Sequence, residues 1–277
     1  MTSLAVSLSV DSRGPCGLYF ITDSRITWGS SNHRWDAGQK TFASGRFPDL
    51  FGYCGDAYFP PMMLRQVADQ LDAGLICLDN APPEARRIAI ARALEVAMQG
   101  VVGKPPMLPF TIYYGARERD GMRSSFRLWQ MRYSPGNGSW STMECPIDAD
   151  HSYLVTHDGS GSNVIRRRET DWKKTEAAGT SRSAVWAFCE ALQSGQDPLS
   201  GGPPQLVGLW RTGAGKTFGF FWRGKPYFAG MQVLGSASAE AIKWFNHLFE
   251  RCDGTTGKRL KSARKHVKPD IVPLVVQ

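Results

Sequence analysis

The chain of 277 residues has no run of 18 or more apolar residues, so nothing in it predicts a membrane-spanning helix, and no membrane association is expected. Its first residues lack the basic start of a secretory leader, and Asp11, Ser12 and Arg13 interrupt the first apolar stretch. Six cysteines, at 16, 54, 77, 145, 189 and 252, stand far apart without a Cys-x-x-Cys pair. That spacing predicts neither a zinc site nor a disulfide framework, so no metal is expected, and a cytoplasmic setting with reduced thiols fits best. A nucleotide phosphate loop is also missing. Gly213-Ala-Gly-Lys-Thr217 looks like part of one, but Trp210 stands where the motif needs its first glycine, and a strand pattern follows; a hairpin turn is the reading. Acidic residues are absent from 258–268, KRLKSARKHVK, which carries six Lys/Arg. Much of the net charge of +8 therefore sits in one tail. Such a run is expected to be solvated, the alternative being that it binds nucleic acid or an acidic partner.

What is present is a grouped pattern. Leu4–Val10 and Gly17–Thr22 are short apolar runs split by Asp11-Ser-Arg-Gly-Pro15, which predicts a hairpin. Thr41–Ala43 and Leu50–Cys54 predict a second pair. Helices are predicted from Pro60-Pro61 to about Gly74 and from Pro83 to Met98, the prolines being tolerated in the opening turns. Strands return at Phe110–Tyr114, Phe126–Tyr133, Trp140–Met143 and Tyr153–Thr156. A helix after Gly161 and another over Ser181–Gln193 follow, then a hairpin of Leu206–Trp210 with Phe218–Trp222 and a strand over Phe228–Leu234. Ile242, Phe245, Leu248 and Phe249 at helical spacing predict a last helix over Ala237–Arg251. Strand runs and helix runs are grouped rather than alternating, which predicts layered α+β packing and not a doubly wound parallel sheet. There is no internal repeat and no linker that marks a boundary.

The residues that carry chemistry begin at Met1-Thr2-Ser3. A small residue at position 2 permits removal of the methionine, and a freed Thr2 would carry a hydroxyl beside its own α-amine, a base with a pKa of about 7.7–8.0. Asp23-Ser-Arg-Ile-Thr27 follows the first hairpin, and Gln39-Lys-Thr-Phe42 comes next. Gly52-Tyr-Cys-Gly55-Asp-Ala57 then leads toward a helix, Gly159-Ser-Gly-Ser162 opens another, and Asp197-Pro-Leu-Ser-Gly-Gly202 precedes a strand. Taken singly, each of these reads as surface charge, a turn or a loop cap.

Together, in this order, they resemble the catalytic β-subunits of the proteasome and the simpler HslV-type bacterial peptidases, over roughly residues 2 to 225. The resemblance implies a four-layer αββα sandwich of the N-terminal-nucleophile (Ntn) hydrolase type over 1–230. On this division 231–257 is a strand and helix extension of the same domain, and 258–277 is a basic tail. It implies that Thr2 attacks a carbonyl and that Lys40 favours the neutral amine and the developing alkoxide. Asp23 would orient Lys40, and the N–H of Gly55, at a helix start, would donate to the oxyanion. Ser160, Asp197 and Ser200 would hold the amino terminus. Thr27 would bind an extended substrate as an added strand, and Ile26, Phe42 and Tyr53 would stand near an apolar specificity pocket. No cofactor is implied. The expected activity is a threonine peptidase acting on peptide or unfolded protein, as a homo-oligomeric ring, fed by a separate AAA+ ATPase. The alternatives are a small-molecule amidase or acylase on the same fold, and an inactive assembly or nucleic-acid-binding protein.

Overall fold

The computed structural model describes residues 2–103, 108–235 and 242–269. β1 (Ser3–Asp11) and β2 (Gly14–Thr22) form the first hairpin, antiparallel with Leu4 opposite Thr22 and Leu8 opposite Leu18. Most of their residues are buried on both faces, which is why they read as continuous apolar runs and not as an alternation. β1 is flanked on its other side by β10 (Tyr153–Gly159), and β2 by β11 (Gln205–Trp210). β12 (Lys216–Trp222), β13 (Lys225–Phe228) and β14 (Met231–Gln232) continue that sheet. The Gly213–Gly215 segment is a turn feeding β12, as its sequence predicts.

A second sheet has the order β5 (Thr41–Ala43), β6 (Asp49–Gly55), β7 (Phe110–Arg117), β8 (Phe126–Ser134) and β9 (Ser139–Cys145), antiparallel throughout. Leu4, Val6, Leu18 and Phe20 of the first sheet share one buried cluster with Leu50, Tyr113 and Leu128 of the second. Gly52 permits the contact: a Cβ there would lie 3.0 Å from Leu4 Cδ1 and 3.1 Å from Phe20 Cδ2. β3 (Ile26–Trp28) and β4 (Ser30–Trp35) form a separate hairpin that local sequence does not signal.

α1 (Phe59–Asp72) and α2 (Pro83–Gln99) bury Leu64, Leu71, Ile90 and Leu94 against Phe51, Ile112, Tyr114 and Trp129. Arg86 of α2 fastens this layer, donating from Nε and Nη2 to the buried Asp49 carboxylate at 2.8 Å each, while Tyr114 Oη donates to the same group at 2.8 Å. α3 (Ser162–Trp172) and α4 (Ser181–Ser194) bury Ile165, Val185 and Phe188 against Ala5, Ile21, Leu206 and Phe220. The side chain of Thr180 caps α4 by accepting from Ser183 N–H. Among the described residues no helix is long and apolar enough to cross a membrane.

Two expectations are corrected. Among the described residues strand makes up 35% and helix 23%, with four α-helices, so the fold is β-rich and mostly antiparallel rather than the α+β four-layer αββα sandwich of the Ntn-hydrolase type. The excess of strand comes from segments that grouping by sequence undercounted, namely the β3–β4 hairpin and the region after 240. The helix expected over Ala237–Arg251 is the second correction; its first residues lie outside the described ones, and the rest is not helical. β15 (Trp244–Asn246) runs parallel to β12 with Phe245 opposite Phe220, and β16 (Arg251–Cys252) folds back on it. Asn246 Oδ1 accepts from Leu248 N and Glu250 N, both at 3.0 Å, and Phe249 adopts φ 59°, so the segment turns at once. The basic stretch is mostly exposed, as expected of a solvated run, but it is tied to the rest of the fold at three places. Leu260 N donates to Arg251 O at 2.9 Å, and His266 N to Glu250 Oε1 at 2.7 Å. Lys268 pairs with Glu190, its ammonium standing 5.3 Å from the centre of the Trp172 ring.

Candidate functional site

Asp23 follows β2 and is fully buried, its backbone N–H bound to Ser3 O across the first hairpin at 3.2 Å. A carboxylate in such a place must find donors, and it has four. Oδ1 accepts from Ser3 N at 2.9 Å and Lys40 Nζ at 2.8 Å; Oδ2 accepts from Arg25 N at 3.1 Å and Gly201 N at 2.9 Å. Lys40 leads into β5 and is fully buried as well. Its ammonium also donates to Arg25 O. Burial pushes the Lys40 pKa below the usual lysine range, and the facing Asp23 carboxylate only partly opposes this. Lys40 is fixed from behind, where its backbone N–H donates to Gln205 Oε1 at 2.9 Å and Gln205 Nε2 reaches Ser24 Oγ at 2.8 Å and Gly38 O at 2.7 Å.

Thr2 stands immediately before β1 and is fully buried, and its Oγ1 has no hydrogen-bond partner. Thr2 O accepts from Ser160 N at 3.0 Å. Gly159 makes this approach possible: it sits at φ +89°, and a Cβ there would fall 1.6 Å from Thr2 O. Ser160 Oγ and Ser200 Oγ donate to Asp197 Oδ2 at 2.7 and 2.6 Å. With the Ser200 proton so committed, Ser3 Oγ, 2.7 Å from Ser200 Oγ, is the donor in that pair. The structure thus gathers Asp23, Lys40, Ser160, Asp197 and Ser200 around Thr2 and Ser3. Their side-chain bonds converge on Ser3, whose neighbour Thr2 keeps a free hydroxyl. No bond joins Lys40 Nζ to Thr2 Oγ1, but the ammonium and Ser3 N share one oxygen of Asp23.

The other expected residues are placed differently. Gly55 closes β6 at φ +101°, where a Cβ would stand 2.4 Å from Pro109 O. It is paired with Phe110 in the sheet, and α1 begins only at Phe59, so Gly55 is not at a helix start as the sequence reading had it. Thr27 pairs with Arg34 within the β3–β4 hairpin, which leaves the other edge of β3 without a strand among the described residues. Ile26 is half-buried and packs over Gly38, with its Cδ1 2.4 Å from where a Cβ would be. Phe42 and Tyr53 lie inside the cluster shared with α1 and α2; the Tyr53 hydroxyl is buried without a partner, and burial raises its pKa well above the usual tyrosine range. Among the described residues no group of three or more His, Cys, Asp or Glu is arranged to hold a metal ion.

Sequence reasoning missed Ser3, Arg25, Gly201 and Gln205. Ser3 and Arg25 adjoin named motif residues, and Gly201 lies within the Asp197–Gly202 motif; Gln205 carries no local signal at all. No protein-family model and no curated protein matches the chain.

Proposed function

We propose that the chain is a threonine peptidase whose nucleophile is Thr2, exposed as an amino terminus when Met1 is removed. The observation that carries this reading is the buried Asp23–Lys40 pair bonded to the residue next to a buried, partnerless threonine hydroxyl. A buried ion pair is weak evidence of a stability role, because desolvation offsets most of its attraction. An unpaired buried hydroxyl also costs stability. Their coincidence at one place is what a reactive site requires.

The chemistry follows from the groups. While Met1 is attached, the Thr2 nitrogen is an amide and cannot accept a proton. Once freed, the amine takes the hydroxyl proton as Oγ1 attacks the scissile carbonyl, and the Lys40 charge stabilises the alkoxide character of the transition state. Collapse of the tetrahedral intermediate breaks the C–N bond, and the ammonium returns its proton to the leaving amine. Water, activated by the same amine, then cleaves the ester. Ser160, Asp197 and Ser200 keep the start of β1 in place through both halves. The free edge of β3 beside Thr27 suits an extended substrate.

Thr2→Ala tests this. Peptide hydrolysis is expected to fall by at least about a thousandfold, with circular dichroism unchanged. Intact mass spectrometry of active wild-type protein is expected to show a chain starting at Thr2. Undiminished turnover by Thr2→Ala, or full activity in material that retains Met1, would overturn the proposal.

A further inference from the structure

Beside the Asp197–Ser200 loop lies a cleft of about 520 Å³, which Arg25, Arg34 and Arg223 line from three separate stretches of chain. Residues of the glycine- and proline-rich stretch between 195 and 203 line it as well, together with Leu192 and Tyr227. The charges inside are unequal in their commitments. Asp36 is held by Arg25, from Nε at 2.7 Å and Nη2 at 2.9 Å. Asp197 already accepts from two serine hydroxyls and from Leu199 N at 3.1 Å. Arg34 is exposed on β4 and forms no salt bridge among the described residues. Arg223 is exposed too, forms no salt bridge among the described residues, and lies over the Trp222 ring, 5.8 Å from its centre. The lining therefore carries three guanidinium groups against two carboxylates, and of the three only Arg25 is hydrogen-bonded to a carboxylate among the described residues.

We infer that this cleft binds an acidic peptide segment, with Arg34 and Arg223 each taking a carboxylate. The guanidinium fork matches carboxylate geometry and is weakly hydrated, so it is suited to this exchange of partners. Leu192 and Tyr227 offer apolar surface to the methylenes of such side chains. Arg25 connects the cleft to the first site. Its side chain lines the cleft and donates to Pro198 O at 3.0 Å, while its backbone N–H holds Asp23 and its carbonyl receives Lys40. Arg25 is thus shared between the cleft and the Asp23–Lys40 pair.

The inference does not require Thr2 to be the nucleophile, and the test is arranged so that either reading can fail alone. Full-length Thr2→Ala protein is titrated into a fluorescently labelled peptide of alternating Glu and Gly, and into its Gln counterpart, with anisotropy as the readout. The Glu peptide is expected to bind at least about tenfold more tightly, the factor set by one charge-assisted hydrogen bond, and its affinity is expected to fall with added salt. The double variant Arg34→Gln, Arg223→Asn is expected to erase the difference. Asn is chosen at 223 because φ there is 49°, a conformation that Asn tolerates. If the double variant lost its native circular dichroism, Arg34→Gln alone, on an exposed hairpin, would carry the comparison with an expected loss of several-fold. The tail variant Lys261→Glu, Arg264→Glu is expected to bind as the parent does. Equal affinity for the two peptides would overturn the inference. So would an unchanged double variant, loss of binding in the tail variant, or displacement by inorganic tripolyphosphate more readily than by free polyglutamate.

Discussion

Asp23 and Lys40 show how much one buried carboxylate organises. Four donors from four stretches of chain end on it, so Asp23→Ala would strand the Lys40 ammonium and the N–H groups of Ser3 and Gly201 in a site that water does not reach. Loss of about 3–5 kcal/mol in urea denaturation is expected, the range for breaking a buried pair by removing one partner. The same experiment run against pH reads Lys40. Its folded pKa is lowered by burial, so between that lowered value and the unfolded value of about 10.4 the unfolded state binds more protons than the folded one. Stability must then rise with pH through that window, and Lys40→Met should lack this component. A wild-type profile no steeper than that of Lys40→Met would show that Lys40 titrates normally. Asp23 and Lys40 were legible in sequence because the Asp-Ser-Arg-x-Thr and Lys-Thr segments are short and local. Gln205 was not legible: it reaches Lys40 across 165 positions and belongs to no pattern.

The elements divide along the same line between local and distant causes. The first hairpin, the β5–β6 pair, all four helices and the β11–β12 pair were readable, because turn residues, proline starts and apolar periodicity act within a few positions. The expected helix over Ala237–Arg251 failed because spacing of three and four is also met by a strand and a turn. There Phe245 is claimed by its distant partner Phe220, and Phe249 stacks back on Phe245 with centroids 4.9 Å apart. The β3–β4 hairpin was missed because Ser30–Trp35 is polar, with no apolar alternation to announce it. At Gly159 an element junction depends on a single hydrogen in place of a methyl. Gly159→Ala combines φ +89° with a Cβ 1.6 Å from Thr2 O, so β1 and β10 must separate at the site. The expected cost is at least about 3 kcal/mol, the upper end for a strained backbone, together with loss of hydrolysis. Gly138→Ala is the control: its φ is +64° but nothing lies within 4 Å, so about 1–2 kcal/mol from backbone conformation alone is expected. Equal melting temperatures for the two variants would show that the close approach to Thr2 is not needed.

For the whole molecule, the fold and the charge distribution meet at the C-terminal stretch. A net charge of +8, with six basic residues between 258 and 268, reads in sequence as a solvated appendage, because no apolar pattern there asks for burial. The structure gives that stretch partners supplied by residues far back in the chain. Glu250 is almost fully buried, and its carboxylate accepts from His266 N at 2.7 Å and Asn246 Nδ2 at 3.1 Å. Glu190 takes Lys268 on one oxygen and the Trp172 indole, at 3.0 Å, on the other. Leu260 N satisfies the carbonyl of Arg251 in β16. Truncation after Gly257 removes the His266, Lys268 and Leu260 donors and leaves Glu250 and Glu190 half satisfied, one of them in a buried position where the loss is not made good by water. The expected result is a loss of about 1–3 kcal/mol in stability, with the cooperative transition kept, since both sheets and all four helices precede the cut. Urea denaturation of the truncated and full-length chains side by side measures it. The single variant Lys268→Met is expected to lose only about 1 kcal/mol or less, as its ion pair is partly exposed. An unchanged urea midpoint after truncation would show that the contacts of residues 258–269 add nothing to stability.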